Sequence, residues 1–236
     1  MAVSTVKVTA KHIKKREKRI KKLIILIIIL FLFLLIVFAV LSLFYRGGDF
    51  VITLDPNLAL KSGLKMFDEE ELKHDRLKFY AKGLEFMDNI SINWLPKDID
   101  NHKGGSHNGE NYIAYTFYLE NNGDKPADYW YEVVIEDVIK NIDDAIRIMI
   151  IQNKERVVYA KINDVTKKEE KDTVAFYSNE QAIIEQRKAL KVGDTDKYTI
   201  VIWLEGDDPD CLDHLIGGEI KISMRIIESH IDLKGR

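Results

Sequence analysis

From Leu23 to Tyr45 the chain reads LIILIIILFLFLLIVFAVLSLFY, with no charge and only Ser42 polar before the terminal Tyr45. At about 1.5 Å per residue, a helix of this length spans about 34 Å, enough to cross a hydrocarbon layer of about 30 Å. A helix in a soluble core normally keeps a polar face, and this one has none. The pattern therefore predicts a transmembrane helix over 23–45. The run exceeds the about 7–15 residues of a secretory apolar segment, and Leu41-Ser42-Leu43-Phe44-Tyr45 offers no small-x-small cleavage pattern, so a retained anchor is expected.

Beyond Gly47-Gly48, which reads as a short joint, the pattern shifts towards period two. Asp49–Leu54 (DFVITL) predicts a first strand, closed by a turn at Asp55-Pro56-Asn57. The stretch Asp68–Tyr80 has the spacing of a short amphipathic helix with Asp68 as N-cap. Asn89–Leu95 places Ile90, Ile92 and Trp94 on one strand face, and Asp98–Glu110 reads as a polar loop. Asn111–Glu120 alternates, with Ile113, Tyr115, Phe117 and Leu119 facing a core, and Tyr129–Ile139 turns Trp130, Val133, Ile135 and Val138 inward. With Asn122-Gly123 between them, these two runs read as antiparallel neighbours. Arg147–Ile151 and Val157–Lys161 predict a second hairpin, Thr173–Tyr177 a short strand, and Gln181–Leu190 has helical composition. Lys197–Leu204 and Glu219–Ile226 are alternating strands joined by the loop Glu205–Gly218. The expectation is a mainly β fold: an antiparallel, jelly-roll-like sandwich over 46–236 with one or two short helices, the inserts at 96–110 and 161–196 being decorations.

Charge gives the chain a direction. Residues 1–22 carry nine Lys/Arg against Glu17 alone, whereas residues 47–236 hold 25 Lys/Arg against 37 Asp/Glu, a formal charge of −12. Lysine- and arginine-rich flanks stay in the cytoplasm, so 1–22 is expected inside and the acidic domain outside a plasma membrane. Tyr45 stands where an interfacial aromatic would anchor the outer end. The basic tail is positioned to meet anionic lipid. An acidic domain also argues against nucleic acid as a partner. The single cysteine, Cys211, excludes an internal disulfide and a multi-cysteine zinc site. An exported protein without disulfides suits a Gram-positive cell.

Candidate chemistry is sparse. His102 and His107 (HKGGSH), with Asp98, Asp100 and Glu110 nearby, offer imidazole and carboxylate donors for a divalent metal such as zinc. Asp207, Asp208 and Asp210, in Glu205–Asp213, offer oxygens for calcium, without EF-hand spacing. The same residues suit an exposed loop and a tight turn. The chain has no H-E-x-x-H, no phosphate-binding glycine loop and no G-x-S-x-G elbow. Cys211 has His214 three residues on, a spacing poor for a nucleophile–base pair in a turn. No catalytic or cofactor-binding residue is assigned. The aromatic run from Tyr112 to Tyr131 reads first as cross-strand packing.

Asn111–Gly123 (NYIAYTFYLENNG), Thr199–Cys211 (TIVIWLEGDDPDC) and Gly217–Met224 (GGEIKISM) together resemble the outer domains of Firmicutes surface proteins related to camelysin and TasA. That resemblance implies an exported jelly-roll-like sandwich of a kind that sometimes assembles by strand addition. Camelysin is classed as a metallopeptidase, but none of its catalytic residues has a match here, and the processing site after the apolar run is lacking. The function expected is thus a non-enzymatic, membrane-anchored binding or assembly module whose partner is a cell-surface protein or another copy. The alternative is a metal-dependent surface hydrolase. A helix-mediated subunit role is less supported, because the span lacks GxxxG.

Overall fold

The computed structural model describes residues 10–44, 50–69, 71, 73–163 and 165–229. Tyr45, the Gly47-Gly48 joint and the first nine residues of the tail lie outside them. The chain divides into two units, 1–46 and 47–236.

The first unit is one helix, α1 (Ala10–Phe44). It begins well before the apolar run, so the basic residues from Lys11 to Lys22 are helical. Within it Lys15–Val40 is long and apolar enough to cross a membrane.

The second unit is a two-sheet sandwich. Its strands are β1 (Phe50–Leu54), β2 (Leu64–Phe67), β3 (Lys78–Ala81), β4 (Gly105–Ser106), β5 (Tyr112–Asn121), β6 (Ala127–Ile139), β7 (Ile146–Gln152), β8 (Glu155–Ala160), β9 (Val174–Ala175), β10 (Gln181–Leu190), β11 (Thr195–Leu204) and β12 (Glu219–Ile227). One sheet has the order β10-β6-β12-β1-β3, and the other has the order β2-β5-β11-β7-β8-β9, with β4 also on β5. Pairing is antiparallel except for β1 with β12 and β8 with β9, which run parallel. The purely antiparallel expectation is corrected to that extent.

Several elements depart from the sequence pattern for identifiable reasons. The helix falls at α2 (Pro56–Ser62), not at 68–80: the Asp55 carboxylate caps it by accepting from Asn57 N at 2.6 Å and Leu58 N at 3.2 Å, and Pro56 occupies the first turn. What reads as a turn signal is a helix start. Gly63 ends α2 at φ 71°, pressed against Gly123, where added Cβ atoms would collide with the facing backbone. Asn122-Gly123 does not close a hairpin, because β5 and β6 belong to different sheets; the turn crosses from one to the other. Interior positions on β6 are Tyr129, Tyr131, Val133 and Ile135, one residue out of step with the expected Trp130. Gln181–Leu190 is a strand paired with β6, its helix-favouring Glu185–Ala189 stretch mostly exposed on a sheet edge. Tertiary pairing overrides local propensity there. Asn89–Leu95 is not a strand either. Only Ile90 bridges, to Glu205, and Ile92–Trp94 forms a 3-10 turn that leaves Trp94 73% exposed. The hairpin β7–β8 and the strands β1, β5, β9, β11 and β12 lie where the pattern places them.

The main core fills the space between the sheets. A second cluster lies on the seven-stranded sheet: Ala114, Met149, Ile151, Val201 and Trp203, joined by Ile90, Leu95 and Ile99. The segment 90–99, which includes the start of the insert at 96–110 expected to be a decoration, therefore covers a second apolar layer. Burial on both faces explains the almost continuous apolar composition of β7 and of residues 200–204 in β11.

A polar knot ties the sheets together. Asp196, 1% exposed, accepts from Tyr129 Oη at 2.7 Å, Arg187 Nε at 2.9 Å and Asn153 Nδ2 at 2.7 Å. Tyr129 and Tyr198 join their hydroxyls at 2.7 Å, and burial pushes both phenols well above their ordinary titration range. Asp196→Ala strands these donors, and urea unfolding should register a loss of about 2–4 kcal/mol. Asp196→Asn, which keeps one acceptor oxygen, should lose less.

Candidate functional site

Two of the sequence-derived candidates fall at separate places on the seven-stranded sheet. The first is an acidic corner. Strand β7 carries a lone charge, Arg147, which is 4% exposed. Its guanidinium lies against Asp208 Oδ2 and 4.0 Å from Glu170 Oε2. The Arg147–Asp208 contact is an ion pair with both side chains buried. The other oxygen, Oδ1, accepts from Asp210 N at 2.7 Å and holds the turn. Ligand atoms of Glu170, Asp208 and Asp210 lie within 4.8 Å of one another.

The structure thus brings together two of the three aspartates named from sequence and adds Glu170 from the 161–173 loop. Asp207 is not part of the group; its carboxylate accepts from Ser91 Oγ at 2.6 Å. Glu170 carried no sequence signal, being far away in the chain. Arg147 did carry one, as the single charge inside IRIMII. Next to the corner, buried Glu205 accepts from Trp203 Nε1 at 2.9 Å and Ile92 N at 3.1 Å. That bond ties the Ile92–Trp94 turn to the sheet. Chemically, the corner is three carboxylates, two of them paired with one buried guanidinium. A calcium ion seeking six to eight oxygens would have to share the space with that fixed positive charge.

Cys211 lies beside this corner. Burial pushes its thiol up, and its hydrogen bond is with Asn89 rather than His214. A raised thiol pKa lowers the thiolate fraction, the opposite of nucleophile activation.

The second candidate is the strap Asp98–Glu110. His102 and His107 do meet, with ring centroids 4.2 Å apart and planes 16° from parallel. His102 Nδ1 lies 3.0 Å from Gly104 O, and His107 Nε2 lies 2.9 Å from Thr116 Oγ1, which in turn bonds Thr199 Oγ1 at 2.8 Å. Imidazole lone pairs lie in the ring plane. Near-parallel rings therefore cannot both reach one zinc ion at about 2.0–2.1 Å without one of them rotating. Of the carboxylates expected nearby, Asp100 pairs with Arg156. Lys197 Nζ donates to Asp100 O at 2.9 Å and His102 O at 2.8 Å, so a cation already holds the strap down. Burial first, then the His102 and Lys197 charges, push His107 down to about 4.

No family model matches this chain, and no curated protein matches it. A solved structure, the beta-glucosidase from Kluyveromyces marxianus in complex with glucose, aligns at 12% identity and a TM-score of 0.24. The alignment covers 72% of this chain and 16% of that one. A likeness of that size carries no argument about fold or function.

Two predictions follow from the geometry. His107 is held neutral in the fold, with its pKa lowered from 6.5 to about 4, so the unfolded chain binds the extra proton between those values. The contribution of His107 to stability is therefore full above about pH 6.5 and is lost progressively as pH falls towards 4. Urea midpoints measured over that window should fall more steeply for the natural chain than for His107→Gln. At the acidic corner, Arg147→Ala leaves Asp208 buried and unpaired, a loss of about 3–5 kcal/mol. Removing the guanidinium also opens the three carboxylates to a cation. Calcium should then raise the melting temperature of Arg147→Ala and leave that of the natural chain unchanged.

Proposed function

We propose that this protein is a membrane-anchored binding or assembly module displayed on the outer side of a Gram-positive plasma membrane. The observation that carries the reading is the uncharged run of α1, preceded by a basic helical segment and followed by an acidic sandwich with its own core. The bilayer is the natural solvent for such a run, and the positive flank favours an inside N-terminus. The acidic unit then faces outward, with α1 as its anchor.

Contact would come through sheet edges. Strands β3 and β10 end one sheet, and β2 and β9 end the other. An edge strand presents unpaired backbone groups to which an incoming strand can add. The resemblance to camelysin and TasA-like domains points the same way, with a surface protein or a second copy as the partner. A second reading, a metal-dependent surface hydrolase, draws on the convergence of Glu170, Asp208 and Asp210. Stoichiometric metal in the purified full chain, lost on Asp210→Asn, would favour it.

Shaving intact cells with protease should digest the domain at 47–236 and leave an N-terminal tag protected and membrane-bound. Cross-linking on the same cells should trap a surface partner or a dimer. An untouched domain, or a fully soluble chain, would overturn the anchored reading.

A further inference from the structure

Three loops meet at one end of the sandwich, and the chain enters the sandwich at that same end. β1 starts there with Phe50, whose antiparallel partner Ala81 closes β3. β12, parallel to β1, also starts there, and β6 ends there with Ile139 opposite Glu219. The segments 82–94, 139–145 and 205–218 spring from these strand ends. They are tied to one another: Gly206 N donates to Ile90 O at 3.0 Å, Ser91 Oγ donates to Asp207 at 2.6 Å, and Lys140 Nζ donates to Ile216 O at 2.6 Å.

This end carries apolar side chains that neither core takes up. Among the described residues of the outer unit, the exposed aromatic side chains are Tyr80, Phe86 and Trp94. Tyr80 pairs with Val51, one residue from the end, and Phe86 and Trp94 lie on the loop beyond β3. Exposed Ile139, Leu212 and Ile216 join them. The opposite end, at α2, exposes aliphatic residues such as Leu60 and Val192 but none of these rings. Apolar residues scattered singly over a surface need no explanation, whereas a concentration at one end marks a contact. Their presentation is also fixed. Trp94 N donates to Ser91 O at 2.9 Å, Glu205 holds Ile92 N, and buried Leu215 anchors the turn between Leu212 and Ile216.

The tether indicates what covers this end. Only residues 45–49 separate Phe44, the last residue of α1, from Phe50. Fully extended, that link reaches about 20 Å. Strand β6, with 13 residues, is about 40 Å long by comparison. With α1 in a bilayer, Phe50 stays within the shorter distance of the lipid surface whichever way the unit turns. Glu85, Asp88, Asp207 and Asp213 are exposed on the same loops, so attraction to anionic headgroups does not supply the contact. Burial of apolar surface does.

We propose that the Phe50 end of the sandwich docks on the outer leaflet, with Phe86, Trp94, Leu212 and Ile216 inserted at the boundary between headgroups and acyl chains. Trp94 suits that depth, since its ring enters the apolar layer while its indole N–H stays with the headgroups. Docking of this kind rests on the membrane-anchored reading and goes beyond it, because an anchored domain without these side chains would be free to turn.

The test places the full chain in phosphatidylcholine vesicles and compares its tryptophan emission with that in vesicles of bromine-labelled phosphatidylcholine. Vesicle flotation reads the anchor separately. Bromolipid should quench the natural chain, and the quenching should vanish in Trp94→Phe, since Trp203 is buried and Trp130 pairs with Ile227 towards the far end. Leu212→Asp combined with Ile216→Asp should remove most of it. Leu60→Asp, at the opposite end, should leave it unchanged. Quenching that persists in Trp94→Phe overturns the docking. A chain that floats while Trp94 stays unquenched overturns the docking and leaves the anchor standing, and a chain that does not float overturns both. Trp94 untouched by bromolipid but shielded from aqueous iodide as the chain is concentrated would assign this end to a second copy, again against the lipid.

Discussion

The seven-stranded sheet is apolar on both faces, and most of the outer unit is organised by the need to cover each of them. Tyr115, Phe117, Ile148, Ile150, Ile200 and Ile202 face the five-stranded sheet, while Ala114, Met149, Ile151, Val201 and Trp203 face away from it. At roughly 25 cal/mol per Å² of apolar surface removed from water, leaving the second face open would forfeit several kcal/mol. The chain covers it with Ile90, Leu95 and Ile99, and that covering segment continues into the strap bearing Asp100, His102 and His107. A demand of packing thus sets loop groups of mixed charge on the outside of a rigid sheet, where binding residues are commonly found.

Charged side chains mark where the cover must be fixed. Apolar contact alone is non-directional and would let a loop of thirteen residues such as Asp98–Glu110 settle in several ways. Three polar ties remove that freedom: Glu205 holds the backbone of Ile92, Lys197 holds the carbonyls of Asp100 and His102, and Arg156 holds Lys97 O and Asp100. Each tie starts from a strand or strand end of the same sheet. Arg147 does the same for the opposite loops by drawing Asp208 and Glu170 together. Charge pairing inside a protein is weak as a source of net stability, but it discriminates strongly between alternative arrangements.

Legibility of this architecture in the sequence followed the range of the forces involved. The apolar run of α1, the alternation of β5, β11 and β12, and the β7–β8 hairpin are encoded by neighbours a few residues apart, and these were readable. The sheet switch at Asn122-Gly123 was not, because the same turn residues serve a hairpin or a crossing, and the choice depends on which partner β11 and β12 offer. Gln181–Leu190 misled because exposed positions on an edge strand can hold Glu, Gln, Arg and Lys without harm. Asp68–Tyr80 misled because spacing of apolar residues alone does not nucleate a helix, whereas the Asp55 cap and Pro56 do so for α2. At the acidic corner, Asp208 and Asp210 were visible as a cluster in sequence, but Glu170 arrives from 38 residues away and no local pattern announces it. The stacked histidines were found as a pair; that their planes would be parallel rather than convergent depends on the Thr116 and Gly104 contacts.

The acidic corner and the strap are built from similar parts and differ in how their charges are already used. At the corner, Arg147 is buried against Asp208 and Glu170, so a fixed positive charge offsets part of the negative charge of the three carboxylates. At the strap, Asp100 is satisfied by Arg156, and the ammonium of Lys197 is held by the carbonyls of Asp100 and His102 and lies over the face of Tyr118. A ligand gains from a charged group only to the extent that the protein has not already spent it internally. By that criterion a cation finds less at the three-carboxylate cluster than its composition suggests, and an anion finds little at the Lys197 ammonium that the strap has not already used.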